Sequence, residues 1–465
     1  MKTLLTKSKL YALILAFFLV VSTMPMTAQN VFADTTLGVD SDGYLLITSE
    51  DELVEHLMSA NKAYKPELSK NFRLTKDLDL SKYTKLRNIG RSGNYESNPL
   101  FKGNFDGNGH TIRNANLNEG GIFSNIDTNA SVRNLTIENV NVSAKSTEYP
   151  GILASKNLGT IENCRVINSN INSSQSGTGG FVGQNAGTIS KSSVINTNVS
   201  AEKSMQVGGF AGFNGYAGKV GTIDQCFADA NVSGKMNVGG FVGKAEKGNI
   251  SNSYAIGSVK ANSNEKIGGF AGILASPSQL KNVYVSADVN ANSGGAVAGW
   301  KGSSFSAPGE VVNGYYNSEK AKPATEMQEY SGITAKTAAE MSSPRFLGEI
   351  AGSTSGVWAQ DASHNNGMPY LAAVPTPETA PVVPPKDPVK FVICNYNKDT
   401  NTFKKLKEFT VQPEKEDNVV LDLMKRARDE NKFSFTSEES SWGEFVTSID
   451  DIQAPKPDGW MFNVN

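Results

Sequence analysis

The chain has 465 residues, 46 of them acidic and 44 basic, for a formal net charge of −2. That balance gives neither nucleic acid nor an anionic membrane an electrostatic reason to bind. Only 19% of residues are charged, 44 are glycine and 3 are cysteine, which suits a secreted β-rich protein with no disulfide framework. The first residues read as a secretory signal: Lys2, Lys7 and Lys9 precede an apolar run of 12 residues, Leu10 to Val21. A membrane helix needs ~20 such residues. Val31-Phe32-Ala33 suits cleavage, so the mature chain is expected to begin at Asp34, with a cut after Ala28 as the alternative. Export follows, with membrane contact only through the cleaved leader.

Ser49 and Glu52 stand at capping-box spacing, and Leu53, Val54, Leu57 and Met58 give the next residues an apolar side. The spacing predicts a short helix capping the open end of a stack. The stack itself is announced by a recurring glycine pair: Gly120-Gly121, Gly179-Gly180, Gly208-Gly209, Gly239-Gly240, Gly268-Gly269 and Gly294-Gly295, with Pro150-Gly151 in the remaining slot. A period near 30 residues means a solenoid or a propeller. Each unit continues with an apolar pair, as in Phe181-Val182, then a turn such as Gly159-Thr160-Ile161 or Gly187-Thr188-Ile189. Alternating stretches end at Val142, Ile171, Val199, Val232, Val259 and Val289. Period-2 alternation with β-branched residues predicts two or three short strands per unit, hence a parallel β-helix. Rungs ~4.8 Å apart give seven turns a length of roughly 34 Å. Just before the closing apolar residue stands a column of Asn141, Asn170, Asn198, Asn231, Ser258 and Asp288. Such a column is either a ligand-binding stripe or the polar lining of a tight corner, and corner architecture is the preferred expectation.

The Gly-Gly-Phe-Val-Gly and Gly-Thr-Ile wording resembles the GLUG-motif repeats of bacterial surface and secreted proteins. Asp77-Leu78-Asp79-Leu80 and Phe105-Asp106-Gly107-Asn108-Gly109-His110-Thr111-Ile112 resemble their opening rungs, and Val357-Trp358-Ala359 to Pro369-Tyr370-Leu371 their closing segment. The resemblance implies a right-handed parallel β-helix over roughly residues 42 to 373 and leaves function open, because fold does not carry activity with it.

Residues 374–388 are proline-rich and predict a semi-extended linker. Beyond them the pattern is α+β, with a strand at Lys390 to Cys394 and a helix at Val419 to Ala427. Trp442 to Ile449 and Gly459 to Asn465 resemble the transcobalamin-like C-terminal domain of bacterial exported proteins. In that family further strands follow, so the resemblance implies a domain incomplete at Asn465. The expected organisation is therefore a leader (1–33), a cap with the first rungs (34–118), GLUG-type repeats (119–300), a closing segment (301–373), the linker (374–388) and the C-terminal domain (389–465). Neither a sortase-type signal nor a lipobox cysteine stands in these residues, so anchoring stays open.

Catalytic constellations are sparse. The acidic residues of the repeats scatter, and Glu162 and Asp224 share a slot with Ser190 between them. Asn104-Phe105-Asp106-Gly107-Asn108-Gly109 resembles half of a Ca²⁺ loop, but its twelfth position is Ala115, so a glycine-asparagine turn is expected. There is no P-loop, no His-Glu-x-x-His and no Gly-x-Ser-x-Gly. Cys164 and Cys226 share a slot two rungs apart, ~9.6 Å, beyond the ~7 Å reach of a disulfide, and are expected to be buried thiols. Trp442, Phe445, Trp460 and Phe462 are the candidate ligand-binding residues, as an aromatic platform or as the last domain's own core, the latter preferred. The expectation is an exported, non-enzymatic scaffold that binds a surface glycan or protein, without metal or cofactor. A carbohydrate-active β-helix enzyme and corrinoid-like ligand capture by the C-terminal domain are the alternatives.

Overall fold

The computed structural model describes residues 37–59, 67–90, 100–215, 218–262, 266–290, 294–299, 308–321 and 331–375, and the strand backbone of 389–397, 402–411, 435–440, 443–449 and 452–453. Two compact units divide between Pro377 and Glu378.

The larger unit is a parallel β-solenoid of about 8 turns. A full turn holds four short strands, not two or three: Thr160–Glu162 on face A, Arg165–Ile167 on face B, Asn170–Ser173 on face C and Val182–Asn185 on face D. Strands of three or four residues are too short for period-2 alternation to separate them. Each pairs in register with its counterpart one turn on, as in Thr160↔Thr188, Val166↔Val194, Asn170↔Asn198 and Val182↔Ala211. The inward residues Ile161, Ile189, Ile223, Ile250, Val142, Ile171, Val199 and Val232 are all at most 2% exposed. Asparagines in the left-handed region turn the corners, among them Asn134 and Asn163 between faces A and B and Asn139 and Asn168 between B and C.

Between faces C and D the recurring Gly-Phe places Phe181, Phe210, Phe241 and Phe270 in one buried stack, with ring centroids 4.6, 4.8 and 4.6 Å apart. The glycine before each ring is a close-approach position: a Cβ on Gly180 would lie 2.1 Å from Gly209 O, and one on Gly209 2.1 Å from Gly240 O. The glycine period is thus the period at which one backbone turn settles on the next.

At the N-terminal end the capping box forms, with Glu52 N donating to Ser49 Oγ at 3.2 Å and Ser49 N to Glu52 Oε2 at 3.1 Å. The helix Glu50–Leu53 continues as a π turn, Val54–Met58, and buries Leu53, Leu57 and Met58 in the solenoid core. At the other end the chain leaves strand Ile333–Lys336 for two helices, Ala338–Met341 and Pro344–Ala351. The residues from Met341 to Val374 build a second apolar cluster on the outside of face B. There Phe227, Tyr254 and Tyr284 stack at 4.8 and 4.9 Å and are covered by Phe346 and Trp358. Tyr284 OH donates to Pro369 O at 2.6 Å, Asn313 Nδ2 to Glu349 O at 2.9 Å, and Lys336 pairs with Glu349 at 2.7 Å. Face D is covered too: Phe213, pointing out from it, is 6% exposed and meets Tyr149 edge-on at 5.5 Å. Among the described residues, faces A and C are left open.

In the second unit, Val389–Asn397 pairs antiparallel with Thr402–Val411, and Phe435–Ser440 with Gly443–Ile449, which also pairs with Ile452–Gln453. The helix expected at 419–427 lies outside the described residues.

Candidate functional site: the open faces of the solenoid

On face C the alternation that buries Val142, Ile171, Val199 and Val232 points their neighbours outward. The first outward column is a hydrogen-bonded ladder. Asn141 Nδ2 donates to Asn116 Oδ1 at 3.3 Å, Asn170 to Asn141 at 3.0 Å, Asn198 to Asn170 at 2.8 Å and Asn231 to Asn198 at 3.1 Å. Ser258 Oγ closes the series on Asn231 Oδ1 at 2.7 Å. This refines the expected placement: the column lies on the exposed strands of face C, at the first strand residue in Asn116, Asn141 and Asn170, and the tight corner two residues earlier carries other asparagines, Asn114, Asn139 and Asn168. A carboxamide has two N–H donors and two acceptor lone pairs, and the ladder uses one of each, leaving the others outward. The second outward column, Ser143, Asn172, Ser200 and Ser233, runs in register beside it. A corner column borders the face, with Asn139 donating to Asn114 at 2.6 Å and Asn196 to Asn168 at 2.8 Å.

A further ladder, which the repeat pattern does not by itself announce, is structural. Asn157 Nδ2 donates to Asn185 Oδ1 at 2.9 Å and Asn185 Nδ2 to Asn214 Oδ1 at 2.8 Å, all three fully buried. Their oxygens also cap the turn into face A, accepting from Gly159 N at 3.1 Å and Gly187 N at 3.3 Å. An Asn two residues before Gly159-Thr160-Ile161 and before Gly187-Thr188-Ile189 was the available signal.

Face A carries several charges, and its described carboxylates are engaged. Glu162, Ser190 and Asp224 share one register column, as the spacing implied. Glu162 pairs with Lys191 at 3.0 Å, and Asp224 Oδ1 accepts from Ser251 Oγ at 2.6 Å and Asn252 Nδ2 at 2.8 Å. In the first turns Asp106 lies 3.0 Å from Arg133 and 3.4 Å from Arg73, and accepts from Asn108 N at 2.9 Å. Burial pushes its pKa up, but the hydrogen bonds from Asn134, Asn108 N and Arg133 outweigh that and hold the carboxyl below its usual range. The half-loop at 104–109 is thus a turn locked by guanidinium groups.

Asp361, Ser363 and His364 lie together, but not as a catalytic triad. Ser363 Oγ at 3.1 Å and Asp361 Oδ1 at 2.6 Å address the same ring nitrogen, His364 Nδ1, whereas a proton relay needs the two on opposite nitrogens. Asp361 also accepts from Ser363 Oγ and Tyr370 OH, which with His364 hold its carboxyl well below the usual range. A cavity of about 500 Å³ opens beside Gln279, Pro277, Pro308 and Glu310, where Gln279 Nε2 donates to Glu310 Oε2 at 2.7 Å.

Cys164 and Cys226 are free, fully buried thiols. Ser192 stands between them, its Oγ accepting from Cys164 N at 3.1 Å. Burial pushes the Cys164 thiol up to about 12 and the Cys226 thiol up as well. Of the four aromatic candidates, Trp442, Trp460 and Phe462 lie outside the described residues, and Phe445 is described only as a backbone position opposite Glu438.

Among known families, the model of the GLUG motif matches residues 234–260, from the end of face C in one turn to the same face in the next. Among solved structures the chain is similar to that of a candidate immunoglobulin A1 protease from Bacteroides ovatus, at 19% identity and a TM-score of 0.45, covering 72% of this chain and 94% of that one. It is similar also to an IgA1 protease, at 18% identity and a TM-score of 0.43, covering 58% of this chain but only 22% of that one. No curated protein matches.

Proposed function

We propose that the chain is an exported, non-enzymatic scaffold that holds a glycan or protein partner along open face C of its solenoid. The basic, apolar start of the sequence supports export, and the repeat architecture supports a long, rigid surface. The observation that carries the reading is the amide ladder from Asn116 to Ser258: exposed polar groups fixed by one another, each with unused hydrogen-bonding capacity. Fixed groups lose little freedom on binding, so weak contacts repeated turn after turn add up. The carboxylates described on face A and in the closing segment are taken up by cations, hydroxyls or amides, which favours a binding role over acid–base catalysis.

The test is retention of the full chain on a broad array of wall glycans and surface proteins, beside a variant carrying Ser143→Arg and Asn172→Arg. Neither position takes part in the ladder, so the substitutions cover the face without dismantling it. Retention by the parent chain and its loss in the variant is the expected result. Equal retention of both would place the binding surface elsewhere.

A further inference from the structure

Resting on that reading of face C, we infer that its ligand is a linear, uncharged polysaccharide lying along the solenoid axis, across the strands. Three features of the face select this class. The eight outward side chains of four successive turns, Asn141, Ser143, Asn170, Asn172, Asn198, Ser200, Asn231 and Ser233, carry no charge. Within these two columns a uronic-acid polymer or nucleic acid gains no ion pair, the first charges in them coming at Lys260 and Asp288, while the next outward position along the chain carries Lys145, Glu202 and Lys235, mixed in sign. The apolar residues of the same strands, Val142, Ile171, Val199 and Val232, are at most 2% exposed. The face therefore lacks the buried aromatic or aliphatic anchors on which stable protein interfaces depend. What it offers is one spare amide donor and one spare acceptor per rung, repeated every ~4.8 Å.

A polymer that answers such an array must present a donor and an acceptor at each repeat, with no charge and no need of an apolar pocket. Hydroxyl groups of a neutral glycan do that, and one extended pyranose residue spans nearly one rung. The ladder from Asn116 to Ser258 crosses six turns, so roughly six sugar residues fill it at ~4.8 Å per rung. The second column, ~6.6 Å away along each strand, reaches the hydroxyls on the other edge of the same rings. Because each ladder amide is already oriented by its neighbours, added sugars contribute with little further ordering of the protein.

The experiment is isothermal titration of the full chain with linear β-1,4-linked gluco-, manno- and xylo-oligosaccharides of two to eight residues, with oligogalacturonates as the charged comparison. Affinity that rises with chain length and levels off near six residues supports the inference. So does a loss of tenfold or more in Asn172→Arg and in the double variant Asn170→Ala, Asn198→Ala, each with a far-ultraviolet dichroism spectrum like that of the parent. Equal or tighter binding of oligogalacturonates, or affinity independent of length, overturns it. If no neutral glycan binds while the arginine variants still abolish retention on a protein, the ligand class is wrong and the face assignment stands. Self-association lost in Asn172→Arg would likewise replace the glycan with a second copy of the chain. If the arginine variants change nothing, both the ligand class and the face fail.

Discussion

Replacing Asn185 by Asp tests whether the buried amide ladder holds successive turns together. The change is nearly isosteric, so packing is preserved while two donors are lost. Asn185 Nδ2 donates to Asn214 Oδ1 at 2.8 Å and to Thr222 O at 3.3 Å, and its residue is fully buried. The buried Asn214 Oδ1 left unpaired costs about 1–3 kcal/mol at neutral pH, with a smaller loss at the part-buried Thr222 O and the burial of the new charge in addition. A buried carboxyl facing another oxygen titrates above its unfolded value of ~3.9. Its protonated form is thus favoured by the folded state, so the penalty is greatest at neutral pH and shrinks as pH falls through the raised folded-state pKa. Below ~3.9 both states are protonated and the penalty levels off. Urea denaturation midpoints of parent and variant at pH 7 and pH 5, with amide hydrogen exchange to locate the opening, read both effects. Asn185→Leu is the control: it orphans those acceptors and also the Asn157 Nδ2 and Gly187 N donors, without a titratable group, so its penalty should not vary with pH. An Asn185→Asp chain within ~0.5 kcal/mol of the parent at pH 7, or equally weakened at both pH values, would refute the structural role of the ladder.

The closing segment should behave as a separately removable cover. Trp358, 6% exposed and within 6.2 Å of both Tyr254 and Tyr284, should lose about 3–5 kcal/mol of local stability as Ala, with exchange protection falling in residues 338–374 but not around Phe210. Trp358→Phe should cost clearly less, because the buried Trp358 Nε1 has no hydrogen-bond partner to lose among the described residues. Asp106, held below its usual range by Asn134, Asn108 N and Arg133 against the opposing effect of burial, contributes stability present above the unfolded pKa and lost as pH falls through the folded one. Asp106→Asn should therefore flatten the acid limb of a melting-temperature profile. Cys164 and Cys226, buried and with raised pKa values, should stay unlabelled by iodoacetamide at pH 8 until the chain is unfolded, as read by peptide mass mapping.

What could be read in advance followed from how many turns repeat a feature. Gly180, Gly209 and Gly240 recur because each backbone must approach the next within the space of a missing Cβ, and that gives both the period and the solenoid. The capping box at Ser49 and Glu52 was legible because it depends on local spacing alone. The fourth strand of each turn was not, since Val182–Asn185 is short and follows directly on the glycines. The helices of the closing segment carry the same local signals, Thr337 with Glu340 and Ser343 before Pro344, but occur once, so no repeat drew attention to them. Face C was half legible. The column Asn141–Asn170–Asn198–Asn231 stood out, yet only the register shows it on an open strand, because a sequence does not tell a corner from a strand when both favour asparagine. That faces B and D are covered depends on contacts between distant segments, such as Tyr284 with Pro369, which no local pattern announces.

The measurement that bears most directly on a binding scaffold is the chain-length distribution of neutral and acidic polysaccharides after long incubation with the chain, with and without Ca²⁺, taken on material the chain retains. Retained polymer of unchanged length is the expected result. Shortened polymer would contradict a purely binding role and turn attention to the carboxylates of face A and the cavity beside Glu310.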